Sequence, residues 1–509
     1  NPLACRDAVL RAAEAAGVKL NVAAVLGDDL ASRADELRAA GIVEMDSGEE
    51  LPKSLVSVNA YLGGLPIARA LAEGADVVIT GRCVDSALVL GALIHEFGWQ
   101  DTDYDRLAMG SLAGHIVECG AQCNGGNFTD WQLVPDYDNI GFPVAEVDSE
   151  GNFTISKPKG TGGLITPATV GEQMLYEIGD PRAYMLPDVT CDFTQVKMEQ
   201  VGKDLVHVSG ARGLPPSATY KTSATYVDGF KLTAAFMMGG IEAKKKGQHI
   251  AEAIIKRTRR MFREKNLGDY KDVTIEVLGS ETTYGPHSHA TGAREVVVKI
   301  AAKHDQKEAL TILGREIAPM GTGGVPGMTG GFGGAGRATP APLIRLFSCY
   351  VPKTMVPVSV DLDGSKIEVA IPAQGGFDAK TLPADAAPKP EIVAGNAVTV
   401  PLVALAYGRS GDKGDSCNIG IIARQADYLP IIAGQVTEQS VAQYFAHRIK
   451  GKVSRWALPG IGGFNFLLRN ALGGGGVTSL QADPQGKAYA QMLLDMPVKV
   501  PAEMAKGLA

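Results

Sequence analysis

Long hydrophobic runs are missing from this sequence. Its apolar stretches, such as Ala75 to Thr80 and Val400 to Ala406, fall far short of the roughly 20 residues a membrane-crossing helix needs. Cysteine is sparse: seven residues, at positions 5, 83, 119, 123, 191, 349 and 417 of 509, an odd number without the dense spacing of a disulfide scaffold. That usage excludes a stapled secreted module and fits a reducing cytoplasm. Basic residues are not in excess either. The formal charge is −7, which gives no general attraction to phosphate backbones or anionic lipid. Neither nucleic acid nor a membrane is an expected partner, and any anionic ligand must be held by a local site. Asn1 to Arg6 carry neither the charged start nor the apolar core of a secretory signal, and no Met opens the chain, so the start reads as trimmed or processed.

What is present is ample apolar material. With 45% hydrophobic and 21% charged residues over 509 positions, the chain can bury large cores and has the length of two to four domains. Residues 2 to 17 predict an amphipathic helix, Lys19 to Leu26 a buried strand ending in Gly27-Asp28-Asp29. The order repeats as helical Ile67 to Glu73, strand Val77 to Thr80, a turn at Gly81 and helical Ser86 to Phe97. Such βα alternation predicts a parallel sheet covered by helices. From Asp130 to about Asp228 the texture changes to short β-rich pieces broken by Gly and Pro. Ile241 to Asn266 reads as a long helix whose lysines and arginines make a solvated face. Strand Val273 to Leu278 and helix Gln306 to Ile317 follow, then Gly321 to Gly336, too glycine-rich for a regular element. Gly375 to Asn396, rich in Ala, Pro and Asp, reads as a linker. The last module reads strand Thr399 to Ala406, loop Tyr407 to Asp415, strand or helix start Asn418 to Ala423, helix Glu438 to Phe445, strand Val453 to Leu458, then Phe464 to Ala471 and helix Lys487 to Leu494.

Several stretches together resemble a known family. In the first half they are Val78-Ile79-Thr80-Gly81-Arg82 leading to Asp85, the segment Ala113 to Gln122, and Pro158 to Gly163 followed by Glu172-Gln173. In the second half they are Arg409-Ser410-Gly411-Asp412-Lys413-Gly414 with Asn418-Ile419-Gly420, and Leu472 to Gly476. This distributed pattern resembles the AtuA-type acyclic terpene utilization family across nearly the whole chain. The resemblance implies an α/β N-terminal domain and a ferredoxin-fold C-terminal domain. It also implies a further strand and Gly-rich turn ahead of Asn1-Pro2 in relatives. Family members sit in pathways that degrade citronellol, geraniol and related branched acyl chains as CoA thioesters, beside a biotin-dependent carboxylase. No catalytic residue transfers with it.

The fold expected is therefore α/β: an N-terminal α/β domain over 1–374 with a mainly parallel sheet and a β-rich layer, a linker over 375–397, and a ferredoxin-like α+β domain over 398–509.

Reactive groups are densest between Gly114 and Asp130. His115 and Glu118 are three apart and Cys119 adjoins them, so on a helix the three share a face. A carboxylate beside an imidazole can hold one group as base and the other as acid, as removing a proton next to a thioester carbonyl and expelling a hydroxyl requires. Ordinary helix-end hydrogen bonds are the competing reading. Asn124 is a further candidate for contacting substrate. A metal set of His115, Cys119 and Cys123 lacks the closer CxxC spacing and fourth ligand of zinc sites, and no metal is expected. Cys119 is either a nucleophile with a depressed pKa or, more commonly for a thiol, an inert one.

Arg82 and Asp85 follow a strand, where open α/β sheets place ligand crevices. They orient a carboxylate or phosphate, or merely pair with each other at a helix cap. Arg409, Ser410 and Lys413 among three glycines have the equipment to bind CoA phosphates, unless Asp412 and Asp415 neutralise them. Pro158 to Gly163, and Gly321 to Gly336 closed by Arg337, offer backbone N–H groups to an anion. They match neither the phosphate loop GxxxxGK followed by Ser or Thr nor a strand-borne GxGxxG. His287 and His289 read as surface-loop histidines.

The functional expectation is an enzyme of acyl-CoA catabolism, hydratase/dehydratase or carbon-carbon lyase, with no cofactor beyond the CoA thioester it takes as substrate. His115 and Glu118 are acid and base, with Arg82, Asp85, Asn124, Arg409, Ser410 and Lys413 binding substrate. The competing class is a non-catalytic partner of an acyl-CoA carboxylase or lyase. A homo-oligomer is expected under both.

Overall fold

Asn1 accepts a hydrogen bond from the Ala4 N–H and opens the helix Pro2–Ala15, with Pro2 in the first turn, where its missing N–H costs nothing. This is the first element of a computed structural model, which describes residues 1–290, 292–331, 338–393 and 395–508. The strand Val22–Leu26 follows and is buried on both faces, as its unbroken apolar run predicts. It lies parallel to Val77–Thr80, with Ala23 opposite Val78. Helices Leu65–Ala72 and Ala87–Phe97 flank that pair in chain order.

The parallel pairing goes no further among the described strands. On its other side Val22–Leu26 meets the strand Ser359–Leu362 antiparallel, and that strand turns back through Ser365–Glu368. The local βα order predicts a mainly parallel sheet. A tight hairpin arriving from far downstream supplies the other half of this sheet instead.

The strand Thr219–Gly239, 21 residues long, is the spine of a second sheet. It pairs antiparallel with Ser57–Ala60, Glu295–His304, Met328–Gly331 and Ala341–Pro352. Its register slips between Val227 and Phe230, where Gly229 has φ +82 and any Cβ would lie 2.7 Å from the His304 carbonyl. Only glycine fits that bend. The helix Ala243–Lys265 packs on this sheet through Ile250, Ile254 and Phe262. Lys244, Lys245, Lys256, Arg257, Arg259 and Arg260 lie on its exposed side, the solvated face that the sequence predicts. Within the glycine-rich stretch, Met328–Gly331 forms a strand after all, because a neighbour with free backbone groups outweighs weak propensity. Arg337 lies outside the described residues.

Short antiparallel strands between Val144 and Leu214 form the β-rich layer. They enclose the helix Tyr104–Val117, whose residues Leu107 to Ile116 are all buried. Residues 375–393 contain one short turn of helix, Ala379–Thr381, and are tied down where Arg182 donates to the Pro383 carbonyl and Asp385 accepts from the Ala457 N–H.

The C-terminal sheet has the order Ala406–Lys413, Ser416–Ala423, Gly463–Leu468, Val453–Leu458, all antiparallel. Alternation along Ser416–Ala423 sorts its two faces. Cys417, Ile419 and Ile421 point into this module's own core with its helices. Ile422 points the other way and joins the core of the N-terminal half. Tyr407 to Asp415, expected as a loop, is mostly strand, closed by a turn at Gly414 and Asp415. Its glycines permit close approach rather than a loop: a Cβ on Gly411 would lie 2.5 Å from the Tyr176 ring. Among the described residues no helix is long and apolar enough to cross a membrane.

Candidate functional site

His115 sits in the last turn of the helix Tyr104–Val117, and Glu118 is the residue that ends it. The His115 side chain is 1% exposed and that of Glu118 16%, with Nδ1 3.2 Å from Oε1. The contact is off-line, so among the described residues Nδ1 has no aligned hydrogen-bond partner. On the other edge of the ring, Nε2 lies 3.1 Å from the Met174 carbonyl. A carbonyl only accepts, so Nε2 carries the hydrogen. Nδ1 is the ring atom left to face Glu118. Tyr184 and Phe193 wall the ring on its buried side.

The helix Pro167–Met174 supports the pair from behind. Gln173 donates to the His115 carbonyl at 2.8 Å and accepts from Gln122 at 2.6 Å. Gln122 in turn accepts from Arg409 at 2.7 Å. The Arg409 guanidinium stacks over Tyr176 at 4.8 Å, and burial lowers its pKa from the ordinary value. Next to it Glu172 is 3% exposed and accepts from the Thr129 N–H at 3.1 Å and hydroxyl at 2.6 Å. Burial pushes the Glu172 carboxyl up to about 8. Thr129 also accepts from the Gly408 N–H at 2.9 Å, so this polar chain spans both halves of the protein.

Between the halves, residues Leu175 to Gly179 lie on the C-terminal sheet. Asn418 donates to the Leu175 carbonyl at 2.6 Å and accepts from the Glu177 N–H at 2.9 Å, and Asn465 donates to the Gly179 carbonyl at 2.6 Å. Glu177 is held in the left-handed region, φ 59, where a side chain with a Cβ is strained. Its carboxylate lies 3.6 Å from Lys413 Nζ and 3.4 Å from Lys487 Nζ. Lys487 also contacts the Tyr176 hydroxyl.

Burial raises the Asp85 carboxyl above its usual range, Glu118 and Glu177 add to that, and Arg82 and Lys413 oppose it. All four therefore act on Asp85. Asp412 is pushed up to about 6 by burial and by Glu177, and among the described residues its Oδ1 has no hydrogen-bond partner. The candidate site is this polar cluster at the junction of the two halves, where Glu177 meets the ammonium groups of Lys413 and Lys487.

A family model described as acyclic terpene utilisation family protein AtuA matches residues 1–362, and one described as AtuA ferredoxin-like domain matches residues 400–499. The chain belongs to the AtuA family. No curated protein and no solved structure matches it. The AtuA match covers the elements that carry His115, Glu118 and Glu177, and the ferredoxin-like match those that carry Lys413 and Lys487.

In this AtuA-family chain, Arg82, Glu118 and Lys413 all act on Asp85, and His115 contacts Glu118. Asn124 is not among them: it is fully buried, donates to the Gly141 carbonyl at 2.7 Å and accepts from the Cys123 thiol at 3.4 Å. It presents no surface to a ligand. Ser410 is also fully buried, donating to the Gly486 carbonyl at 2.6 Å and accepting from the Ala490 N–H at 2.9 Å. The Arg409-Ser410-Lys413 set presupposed a loop. As a strand it alternates sides, so Ser410 faces the helix Tyr489–Leu494 while Arg409 faces Tyr176. Only Lys413 reaches open space.

Cys119 is accessible, but desolvation and the carboxylates of Glu118 and Glu177 raise its thiol, the opposite of an activated nucleophile. Burial pushes Cys123 up to about 12. Among the described residues no three His, Cys, Asp or Glu side chains are grouped to hold a metal ion. His287 stacks on Tyr444 at 3.9 Å, and His289 is exposed near Asp495. Tyr61, Tyr176, Glu177, Lys221 and Lys487 escape a reading of the sequence, because no motif or spacing marks them.

Proposed function

We propose that this AtuA-family protein is an enzyme that acts on a branched or unsaturated acyl-CoA thioester by proton transfer, either adding or removing water or cleaving a carbon-carbon bond. The observation that carries the reading is the His115–Glu118 contact, buried at His115 and accompanied by the raised Asp85 carboxyl and by Lys413 and Lys487, which meet at Glu177. Proton removal beside a thioester carbonyl needs a base at the α-carbon, a cation at the carbonyl oxygen and an acid at the departing group.

In the dehydration direction, Glu118 takes the α-proton and His115 stabilises the charge change behind it. The electron pair moves onto the thioester oxygen, where Lys413 or Lys487 donates a hydrogen bond. It then returns to form the α,β double bond as the β-hydroxyl leaves, protonated by Asp85 to water. Hydration is the same path reversed, so each group holds the opposite proton at the start. Burial, which raises the Asp85 carboxyl, favours its protonated, donating form.

The test incubates the purified full chain with prenyl-type enoyl-CoA and 3-hydroxyacyl-CoA esters and follows mass changes. Turnover is expected, and Glu118→Gln should lower it by about 10²- to 10⁴-fold with an unchanged unfolding midpoint. Binding without turnover, or co-purification with carboxylase subunits, would replace the enzyme reading with that of an assembly partner.

A further inference from the structure

At Tyr61 three chain segments are tied together. Its N–H donates to the Lys221 carbonyl at 2.9 Å, and the N–H of the next residue, Leu62, donates to the Arg82 carbonyl at 3.1 Å. Over its ring lie two cations: the Arg82 guanidinium at 5.4 Å and Lys221 Nζ at 5.7 Å from the centroid. Both side chains are exposed, and among the described residues no carboxylate lies within 4.0 Å of either. That distinguishes them from Lys413 and Lys487, which share Glu177. Asp46 and Asp412 act on Lys221 only at longer range, and Asp46 already faces Arg469 at 3.4 Å.

Two cations held over one ring repel each other, and Lys413 adds to the repulsion on Lys221. Burial and Lys413 both lower the Lys221 ammonium from its ordinary value. The ring quadrupole offsets about 0.5–2 kcal/mol for each cation but leaves their mutual repulsion in place. An anion between them would remove it. A guanidinium fork beside an ammonium point charge suits the oxygens of a carboxylate or phosphate.

We propose that Tyr61, Arg82, Lys221 and Lys413 form an oxyanion-binding subsite. This deepens the acyl-thioester reading and rests on it for the source of the anion, which is either a second carboxylate on the acyl chain or a phosphate of the CoA handle. Arg82 also acts on Asp85, which in turn acts on Glu118, so an anion docked here sets the position of a chain running toward the acid-base pair.

The test is calorimetric titration of the full chain with succinate, with adenosine 3′,5′-bisphosphate and with acetate. At least one dianion should bind more tightly than acetate, and its affinity should fall at least tenfold in Lys221→Gln and in Arg82→Gln. Lys221→Arg, which keeps the charge, should stay within a few-fold of the parent and guards against misfolding as the cause. Succinate as the responding ligand assigns the subsite to the acyl chain, and the bisphosphate assigns it to the handle. Absence of binding by both dianions, or affinities unchanged in Lys221→Gln and Arg82→Gln, overturns the subsite. Binding is read without turnover, so the subsite and the enzyme reading fail separately.

Discussion

Glu172 shows how burial alone sets the state of one residue. Among the described residues its carboxyl has no cation in hydrogen-bond contact, and burial, outweighing Arg409, pushes it up to about 8. The group is therefore neutral at pH 7 in the folded protein, whereas its unfolded value is 4.5. A folded value above the unfolded one means that the native state holds the proton more tightly. The stability from this group is complete below pH 4.5, falls as the pH rises toward about 8 and is level above that. Every tenfold gain in proton affinity on folding corresponds to about 1.4 kcal/mol. Asp412, pushed up only to about 6, finishes its own decline earlier. Between pH 6.5 and 9, then, the unfolding midpoint of the parent should fall relative to that of Glu172→Gln. Parallel curves in that range would show that Glu172 is ionised in the fold.

At the scale of elements, the decisive contact is that of the strand Ala406–Lys413 with Tyr176 and Glu177. A methyl group on Gly411 would lie 2.5 Å from the Tyr176 ring and 2.7 Å from Glu177 Cγ. Gly411→Ala should therefore cost about 1–3 kcal/mol in denaturant unfolding, and by displacing Glu177 from Lys413 it should lower turnover as well. An unchanged stability would mean that the strand does not press on this segment. The same contact explains why the residues predict a loop where a strand forms. Gly408, Gly411 and Gly414 look alike in sequence, yet only Gly414 makes a turn, with φ +62. Gly411 is small because another backbone arrives beside it, a requirement set by a distant segment. By contrast, the three-residue spacing of His115 and Glu118 is sufficient to bring them together, because 3.6 residues per turn places them on one helix face.

At the scale of the whole molecule, the two halves are joined by polar groups as well as by packing. Asn418 alone serves the Leu175 carbonyl, the Glu177 N–H and Asn465, and Arg424 grips Asp130 through two contacts of 2.6 Å. Asn418→Ala leaves buried partners unpaired, at about 1–3 kcal/mol for each. Calorimetry should then show the single unfolding transition of the parent broadening or splitting in two. A sharp, merely shifted transition would mean that the core packing of Ile422 against the N-terminal half suffices to couple the halves.

What the amino-acid sequence determined by itself was local or distributed: the helices and strands with strong periodicity, the α/β character of the first half, the family, and the His115–Glu118 pair. What only the tertiary structure decided was the polar cluster at the junction of the halves. Glu177 and Lys487 are 310 residues apart and meet because two separately formed cores dock, one through the far face of a sheet. No periodicity encodes such a meeting. The left-handed turn at Glu177, the two cations over Tyr61 and the loss of Asn124 and Ser410 to buried hydrogen bonds all follow from how surfaces exclude water when the halves close. Local backbone preference reaches a few residues, whereas desolvation and charge act on whatever the completed fold brings near.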